Sequence, residues 1–377
     1  MKKRGFTLIE LLAVIVILAI IALIATPIVL SIISDSKDSA SLRSAEMYLK
    51  GLETSVATAT LNEKHIEDGT YEITKDGDIC LTELTNEKLC SSEEKILVVE
   101  MNGEEPTSGT VTIESGKVKN IVFIYSNEKT IVKNEDGKTV QIPTPKSFAE
   151  DDWSTIVANV RAGNLIAYKV GDTREITLTS TDTNIAGTYT IRIANTSTPA
   201  ECSANGYSQT ACGFVIEFAD IISDHVMNSI GSSVGGWELS PMRTYVNNDI
   251  YNSFPEELKE YILDTYVVSG HESGKTSNYK TTDKVYLLST KEVWGKEGTS
   301  NIIVYDTAET ETRQLDYYKN LGVTTSKYSG AIKNGSWWWL RSVHSDATHA
   351  FCIVNDSGLG TISHAYNNYG VSVAFRI

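Results

Sequence analysis

Residues 11–34 contain no charged side chain. As a helix rising 1.5 Å per residue, such a run spans a hydrocarbon layer of ~30 Å. Lys2, Lys3 and Arg4 precede it, which keeps the N-terminus cytoplasmic and sends the remainder out of the cell. A secretory signal peptide has a shorter apolar region that ends in small residues. Here the apolar run is longer, and the small residue, Gly5, stands before it. Glu10 lies at the head of this segment, where an unpaired carboxylate in hydrocarbon costs several kcal/mol.

The order Gly5, then Phe6-Thr7-Leu8-Ile9-Glu10-Leu11-Leu12, resembles the class III signal of type IV pilins and pseudopilins, over about residues 1–60. The resemblance implies a leader at 1–5 that prepilin peptidase removes after Gly5, with methylation of the new amine on Phe6. It implies one long helix over 6–60, transmembrane over 6–33, with Pro27 where pilins commonly kink. Glu10 would meet the Phe6 amine of a neighbouring subunit in the filament core. Pairing makes a buried charge tolerable and sets register. The partners implied are other pilin subunits, prepilin peptidase and, before assembly, the cytoplasmic (inner) membrane.

The remaining length asks for more than one core. A chain of 377 residues predicts two or three domains. The formal charge of −15 becomes about −18 once Lys2, Lys3 and Arg4 are lost, so the bulk surface repels nucleic acid. Residues 39–61 carry Leu42, Ala45, Met47, Leu49, Leu52, Val56 and Ala59, a stripe that suits a helix lying on a sheet. Strand-like runs separated by DG, NG and SG turns follow from 69 to 142, predicting four or five antiparallel strands in a β domain over 61–145. The two prolines of 142–147 mark the boundary. The remainder, 146–377, is long enough for its own core. NLIAYKV, TREITLTS, GTYTIRIA and GFVIEFA read as strands, and SPMRTYVNNDIYNSFPEELKEYILDTYVV as a helical region.

Little of the chemistry in this remainder points to a reaction. SGHESGKT, residues 269–276, has Ser269 where a P-loop needs glycine, and no helix is predicted after it to receive phosphate. His344, His349 and His364 lack HxxxH or HExxH spacing, so they read as exposed loop residues and no metal is expected. No nucleophile elbow or CxxC occurs. No catalytic residue, cofactor or enzymatic activity is expected. Cys80 with Cys90 and Cys202 with Cys212 are spaced to close small loops in an exported protein, or else all four stay reduced; Cys352 reads as a buried thiol.

The C-terminal stretch is the most distinctive after the N-terminus. Trp337, Trp338, Trp339 and Leu340 form an apolar cluster, read either as core or as an aromatic platform. SWWWLRS followed by polar loops and a closing GVSVAFRI strand resembles the end of C-type-lectin-like domains. It is similar to uncharacterised bacterial surface domains and to the variable proteins of diversity-generating retroelements. RTYVNNDIYNSF and DKVYLLSTKEVW fit the first of these groups as well. The fold class implied is α+β: a pilin helix with a small antiparallel sheet, then a C-type-lectin-like domain. The lectin calcium motifs are absent, as are the paired cysteines of the formylglycine-generating enzymes, so neither chemistry is carried over.

Residues 343–375 hold no Lys, Glu, Gln, Met or Trp. The chain has 24 Lys and 29 Glu, so about four or five would fall in such a window at that frequency. Asn, Asp, Ser, His, Thr and Tyr dominate instead, as adenine-directed codon diversification or ordinary loop chemistry would each produce. Such residues suit adaptable recognition. The expected binding face comprises His344, Ser345, Asp346, Thr348, His349, Asn355, Asp356, His364, Tyr366, Asn367, Asn368 and Tyr369, and its ligand is a surface protein or glycan. The alternative is a structural pseudopilin of a secretion or DNA-uptake machine, whose second domain only packs against partners.

Overall fold

The computed structural model describes residues 8–62, 66–73, 79–81, 95–97, 99, 101, 103–126, 129–134, 136–182, 184–295 and 302–377; side chains at 10, 28, 30, 31, 34, 35, 80, 81, 95, 96 and 304 also lie outside the description. The chain is mixed α and β, with several antiparallel sheets. It forms two compact units, Met1–Thr144 with Arg161–Asn164, and Pro145–Val160 with Leu165–Ile377.

In the first unit a single helix, α1 (Leu8–Leu61), runs through Pro27. Its second half buries Ala45, Tyr48, Leu49, Leu52, Val56 and Ala59. These positions recur every three or four residues, so they line one face of a 3.6-residue helix. That face packs on Tyr71, Val111, Ile113, Ile121, Phe123 and Ile131, with Tyr48 edge-on to Phe123 at 5.0 Å. Toward the N-terminus the described apolar side chains are exposed.

Among the described residues no helix is long and apolar enough to cross a membrane.

Among the described residues the sheet of this unit has seven strands: β1 (Gly69–Ile73), β2 (Ile79–Leu81), β3 (Lys95–Leu97), β4 (Ser108–Glu114), β5 (Lys117–Ile124), β6 (Thr130–Lys133) and β7 (Thr139–Ile142). Their order is β3-β2-β1-β4-β5-β6-β7. The expectation of four or five strands is corrected. β2 and β3 have three residues each, too short to show alternation in sequence.

The second unit opens with α2 (Trp153–Arg161), which sequence periodicity did not single out. Residues 164–170, expected as a strand, form turns: Tyr168 N donates to Leu165 O at 3.1 Å and Asp172 N to Lys169 O at 3.0 Å. Their alternation arises because Tyr168 is buried with its hydroxyl on Asp151 Oδ2 at 2.8 Å, not from sheet pairing.

Strands β8 (Thr173–Leu178), β9 (Gly187–Asn195), β10 (Val215–Phe218), β11 (Ser223–Val226), β12 (Thr265–Ser269), β13 (Tyr279–Asp283), β14 (Tyr286–Leu287), β15 (Trp338–Val343), β16 (Ala350–Val354), β17 (Gly360–His364), β18 (Asn368–Val371) and β19 (Val373–Arg376) follow. They build two five-stranded sheets, β14-β19-β10-β9-β8 and β11-β18-β15-β16-β17, and the ribbon β12-β13. The chain passes from one five-stranded sheet to the other at Ser372, whose hydroxyl donates to Phe218 O at 3.0 Å.

Of the helical region expected over 240–268, residues 241–259 are helical but broken, and the end is corrected: Thr265–Val268 belong to β12, paired with β13. Ser240 caps Pro241–Tyr245, and Pro255 precedes Glu256–Lys259. Cys202 and Cys212 are joined, with Cα atoms 5.9 Å apart, and Cys352 is a buried free thiol.

Candidate functional site

Two of the motifs quoted for the C-terminal resemblance meet inside the second unit. Arg341, from SWWWLRS, is fully buried and grips both oxygens of Glu292, from STKEVW, at 2.6 Å each. Glu292 also closes a capping box with Ser289 at the start of the helix Thr290–Trp294. Burial alone would raise its pKa; the Arg341 guanidinium overcomes this and holds the carboxyl below its usual range. RTYVNND does similar work. Arg243 Nε reaches Asp283 Oδ1 at 2.7 Å, Asp283 Oδ2 accepts from Trp237 Nε1 at 2.9 Å, and Asn247 bridges to Val285 O and Lys284 N at 2.9 Å each. A third network joins Glu217 to Arg192 at 2.9 Å and to Lys333 at 2.8 Å. Burial pulls the Lys333 ammonium down to about 8, against the opposing pull of Glu217. These buried polar groups are mutually satisfied and hold the fold.

The tryptophans divide. Trp338 and Trp339 are wholly buried; Trp337 is 38% exposed and lies against Tyr369, ring centres 5.4 Å apart. Tyr369 touches Trp339 as well, at 5.2 Å.

The expected binding residues fall at two ends of one hairpin. β15 pairs antiparallel with β16, and β16 with β17. Segment 344–349 and residues 364–367 therefore lie at one end of β16, and the turn 355–359 at the other. At the first end the backbone is pinned from several directions. His344 N donates to Ala350 O at 3.2 Å, Ser345 N to Tyr305 O at 3.0 Å, Ser233 N to Thr348 O at 2.9 Å, Ala365 N to His349 O at 2.9 Å and Asn228 N to Ala365 O at 2.9 Å. On this frame His349, His364 and Tyr366 are exposed and stacked, while His344 is half-buried against Tyr305, ring centres 4.0 Å apart. Thr348 and Asp346 are exposed beside them, and Asn367 Nδ2 donates to Ser363 Oγ at 2.7 Å. Burial holds the His344 imidazole below its usual range, although Asp346 acts the other way.

Asn355 and Asp356 do not join this group. Asn355 Oδ1 accepts from Ser357 N, Ser357 Oγ and Leu359 N at 3.0, 2.7 and 2.9 Å, which fixes it as a turn residue. Asn368 is exposed on β18, opposite Val226.

Sequence reasoning missed the segment 228–239, which forms one wall of the same face. Ile230 is 79% exposed, Leu239 72% and Val234 54%. Gly231 has φ +64°, and a Cβ there would come within 2.7 Å of Tyr366 Cδ1, so glycine suits the close approach of this backbone to the edge of the Tyr366 ring. No local signal marks this segment; only its contact with Thr348 and Tyr366 does.

Among the described residues no three His, Cys, Asp or Glu side chains converge as metal ligands. Ser269 ends β12, and residues 270–276 form a loop that leads into β13, with no helix to receive phosphate. Gly5, Phe6 and Cys90 lie outside the described residues, as do the side chains of Glu10 and Cys80.

Residues 215–377 match the family described as a domain of unknown function, DUF6273. Residues 1–26 match the prokaryotic N-terminal methylation motif. No curated protein and no solved structure matches the chain. The motif implies processing by prepilin peptidase, assembly with other pilins and a path from membrane anchor to extracellular filament. The chain therefore carries a type IV pilin-like N-terminus ahead of a separate compact C-terminal unit.

Proposed function

We propose that this protein is a minor or tip subunit of a type IV pilus or pseudopilus, and that its second unit is a ligand-binding, adhesin-like head. The observation that carries the reading is the pairing of the methylation motif with a pinned loop face on which Asp346, Thr348, His349, His364 and Tyr366 are exposed. Residues 6–33 span the membrane before assembly, and Glu10 pairs with the Phe6 amine of a neighbouring subunit in the filament. The head takes a C-type-lectin-like fold. It binds a surface protein or glycan and catalyses nothing. A unit of this size crowds a densely packed filament wall, which favours a minor or tip position.

Replacing His344, Ser345, Asp346, Thr348, His349, His364, Tyr366 and Asn367 by alanine is expected to abolish target binding while filament incorporation continues. Unchanged binding would sink the assignment. Deep sequencing of codons 343–370 from sibling isolates tests diversification. Variation confined to template adenines, with codons 337–340 and 370–377 constant, is the expected signature, and an invariant stretch removes it. A second reading, a partner-packing domain, draws on the exposed Ile230, Val234 and Leu239. It predicts that substituting these three stops filament incorporation rather than binding.

A further inference from the structure

Asp306 is 1% exposed, and among the described residues it makes no ion pair. Without hydrogen-bond donors a carboxyl in such a place would cost several kcal/mol. Donors converge on it from three residues: Thr290 Oγ1 donates to Oδ2 at 3.0 Å, Ser342 Oγ donates to the same oxygen, and Ala308 N donates to Oδ1 at 3.1 Å. Thr290 and Ser342 are themselves fully buried, one on the helix Thr290–Trp294 and one on β15. Burial pushes the Asp306 carboxyl above its usual range, against these donors and the Arg341 charge. The carboxyl therefore fastens residue 306 to a helix and a strand of the core at once.

The residues on either side of Asp306 hold loops. Tyr305 O accepts from Ser345 N at 3.0 Å, and the Tyr305 ring stacks on His344, centres 4.0 Å apart. Thr307 Oγ1 accepts from His271 N at 2.9 Å and donates to Asn278 Oδ1 at 2.6 Å, while Thr307 O accepts from Asn278 Nδ2 at 3.0 Å. Residue 305 thus secures loop 344–349, and residue 307 secures both ends of loop 271–278. The two loops also touch, with Ser273 N on Ala347 O at 3.3 Å. Gly270 allows the close fit: a Cβ there would stand 2.7 Å from Asp306 Oδ1 and 3.0 Å from Thr307 N and Oγ1. Residues 273–277 are exposed, so the second loop lies open to a ligand beside the first. Loops that must order themselves on binding lose affinity, and ties made beforehand preserve it.

We propose that Asp306 is the positioning residue of the recognition face: its carboxyl sets segment 305–307, which holds loops 344–349 and 271–278 side by side as one surface. The face thereby gains Ser273, Lys275 and Thr276 from the second loop. This deepens the recognition-face reading and rests on it. Asp306 itself, being buried, touches no ligand.

The test is amide hydrogen exchange of the full chain in detergent micelles, read by mass spectrometry on peptides covering 271–278, 344–349 and the core strand β10. In Asp306→Ala both loop peptides are expected to exchange at least about tenfold faster, and by a larger factor than β10. A purely structural role would loosen β10 at least as much as the loops, because core amides report global opening. Asp306→Asn keeps the volume and one acceptor but turns the other into a donor, so it should loosen both loops to a smaller extent; it carries the test if the alanine variant does not fold. Unchanged loops, loosening of one loop alone, or equal loosening of β10 overturns the proposal. Adhesion by filament-bearing cells tests the reading beneath it. Adhesion lost when the face residues are replaced by alanine, with loop exchange indifferent to Asp306, defeats the positioning role and leaves the recognition face standing. Adhesion unaffected by that alanine set defeats the face and, with it, any part of Asp306 in recognition.

Discussion

β15 and the loop that follows it are neighbours in sequence and opposites in construction. Every side chain from Trp338 to Val343 is buried, and Arg341 itself ties the strand to Glu292, Thr210 and the carbonyls of Leu287 and Val268. In residues 344–349 the backbone does the fixing, through the carbonyls of Tyr305 and Ala350 and the amides of Ser233, Ser273 and Ala365. Backbone bonds of that kind tolerate any non-proline side chain. The strand's residues are therefore dictated by the fold, while those of the loop are free to be chosen for a ligand. The same contrast gives physical sense to the missing Lys, Glu, Gln, Met and Trp of 343–375: nothing in the scaffold asks for long side chains there.

Breaking the strand side of this contrast should give the largest effects. Arg341→Met leaves Glu292 charged and buried without its partner and is expected to cost about 3–5 kcal/mol in denaturant unfolding of the full chain. R341M/E292L should recover most of that loss, because the orphan charge is gone. A double variant as unstable as R341M alone would mean that packing, not pairing, governs the site. Removing the Cys202–Cys212 bond in C202S/C212S is expected to cost about 2–3 kcal/mol, as closing a loop of that length implies, with no change in target binding.

Acid separates the two regions in another way. Burial would raise the Glu217 and Glu292 carboxyls, but Arg192 with Lys333 and Arg341, respectively, hold them below the usual 4.5. A carboxyl depressed in the folded state adds stability that is complete above its unfolded value and is lost as pH falls through its folded one. His344, depressed by burial below the usual 6.5, adds a weaker term, present above 6.5 and eroded as pH falls. Thermal melts should thus decline gently from about pH 6.5 and steeply below about pH 4.5. In Glu292→Gln the steep limb should be shallower.

The smallest effects on stability belong to the loop. His349→Ala and Asn367→Ala are expected to shift unfolding by no more than about 0.5 kcal/mol, while weakening target binding. Gly231→Ala should also weaken binding, because the added Cβ displaces Tyr366. If these loop variants destabilise as strongly as Arg341→Met, the face is scaffold and the contrast collapses.

Much of this was legible in the chain itself. The signal Gly5 to Leu12 is read from adjacent residues, and most of the buried stripe of α1 follows from helical spacing, although Met47, expected on it, is exposed and Tyr48, not expected, is buried. The strands TREITL, GTYTIRIAN and VIEF show as runs of β-formers. Residues 164–170 mislead because turns can bury alternate side chains as a strand does. α2 escapes because its nine residues give too short a period to count.

What the sequence by itself determined was local: a methylation motif, a long helix, short strands and a loop-rich, Lys- and Glu-free C-terminal stretch. Tertiary structure alone decided which distant residues became partners. It set Arg341 on Glu292, brought Gly231 to the edge of the Tyr366 ring, stacked His349 on His364, and sent Asn355 and Asp356 to the opposite end of the hairpin. The physical reason is that periodicity and composition register the bonds a residue makes with its own segment. Strand register and loop docking, which build the face, are set by contacts between segments, some from adjacent strands and some more than a hundred residues apart.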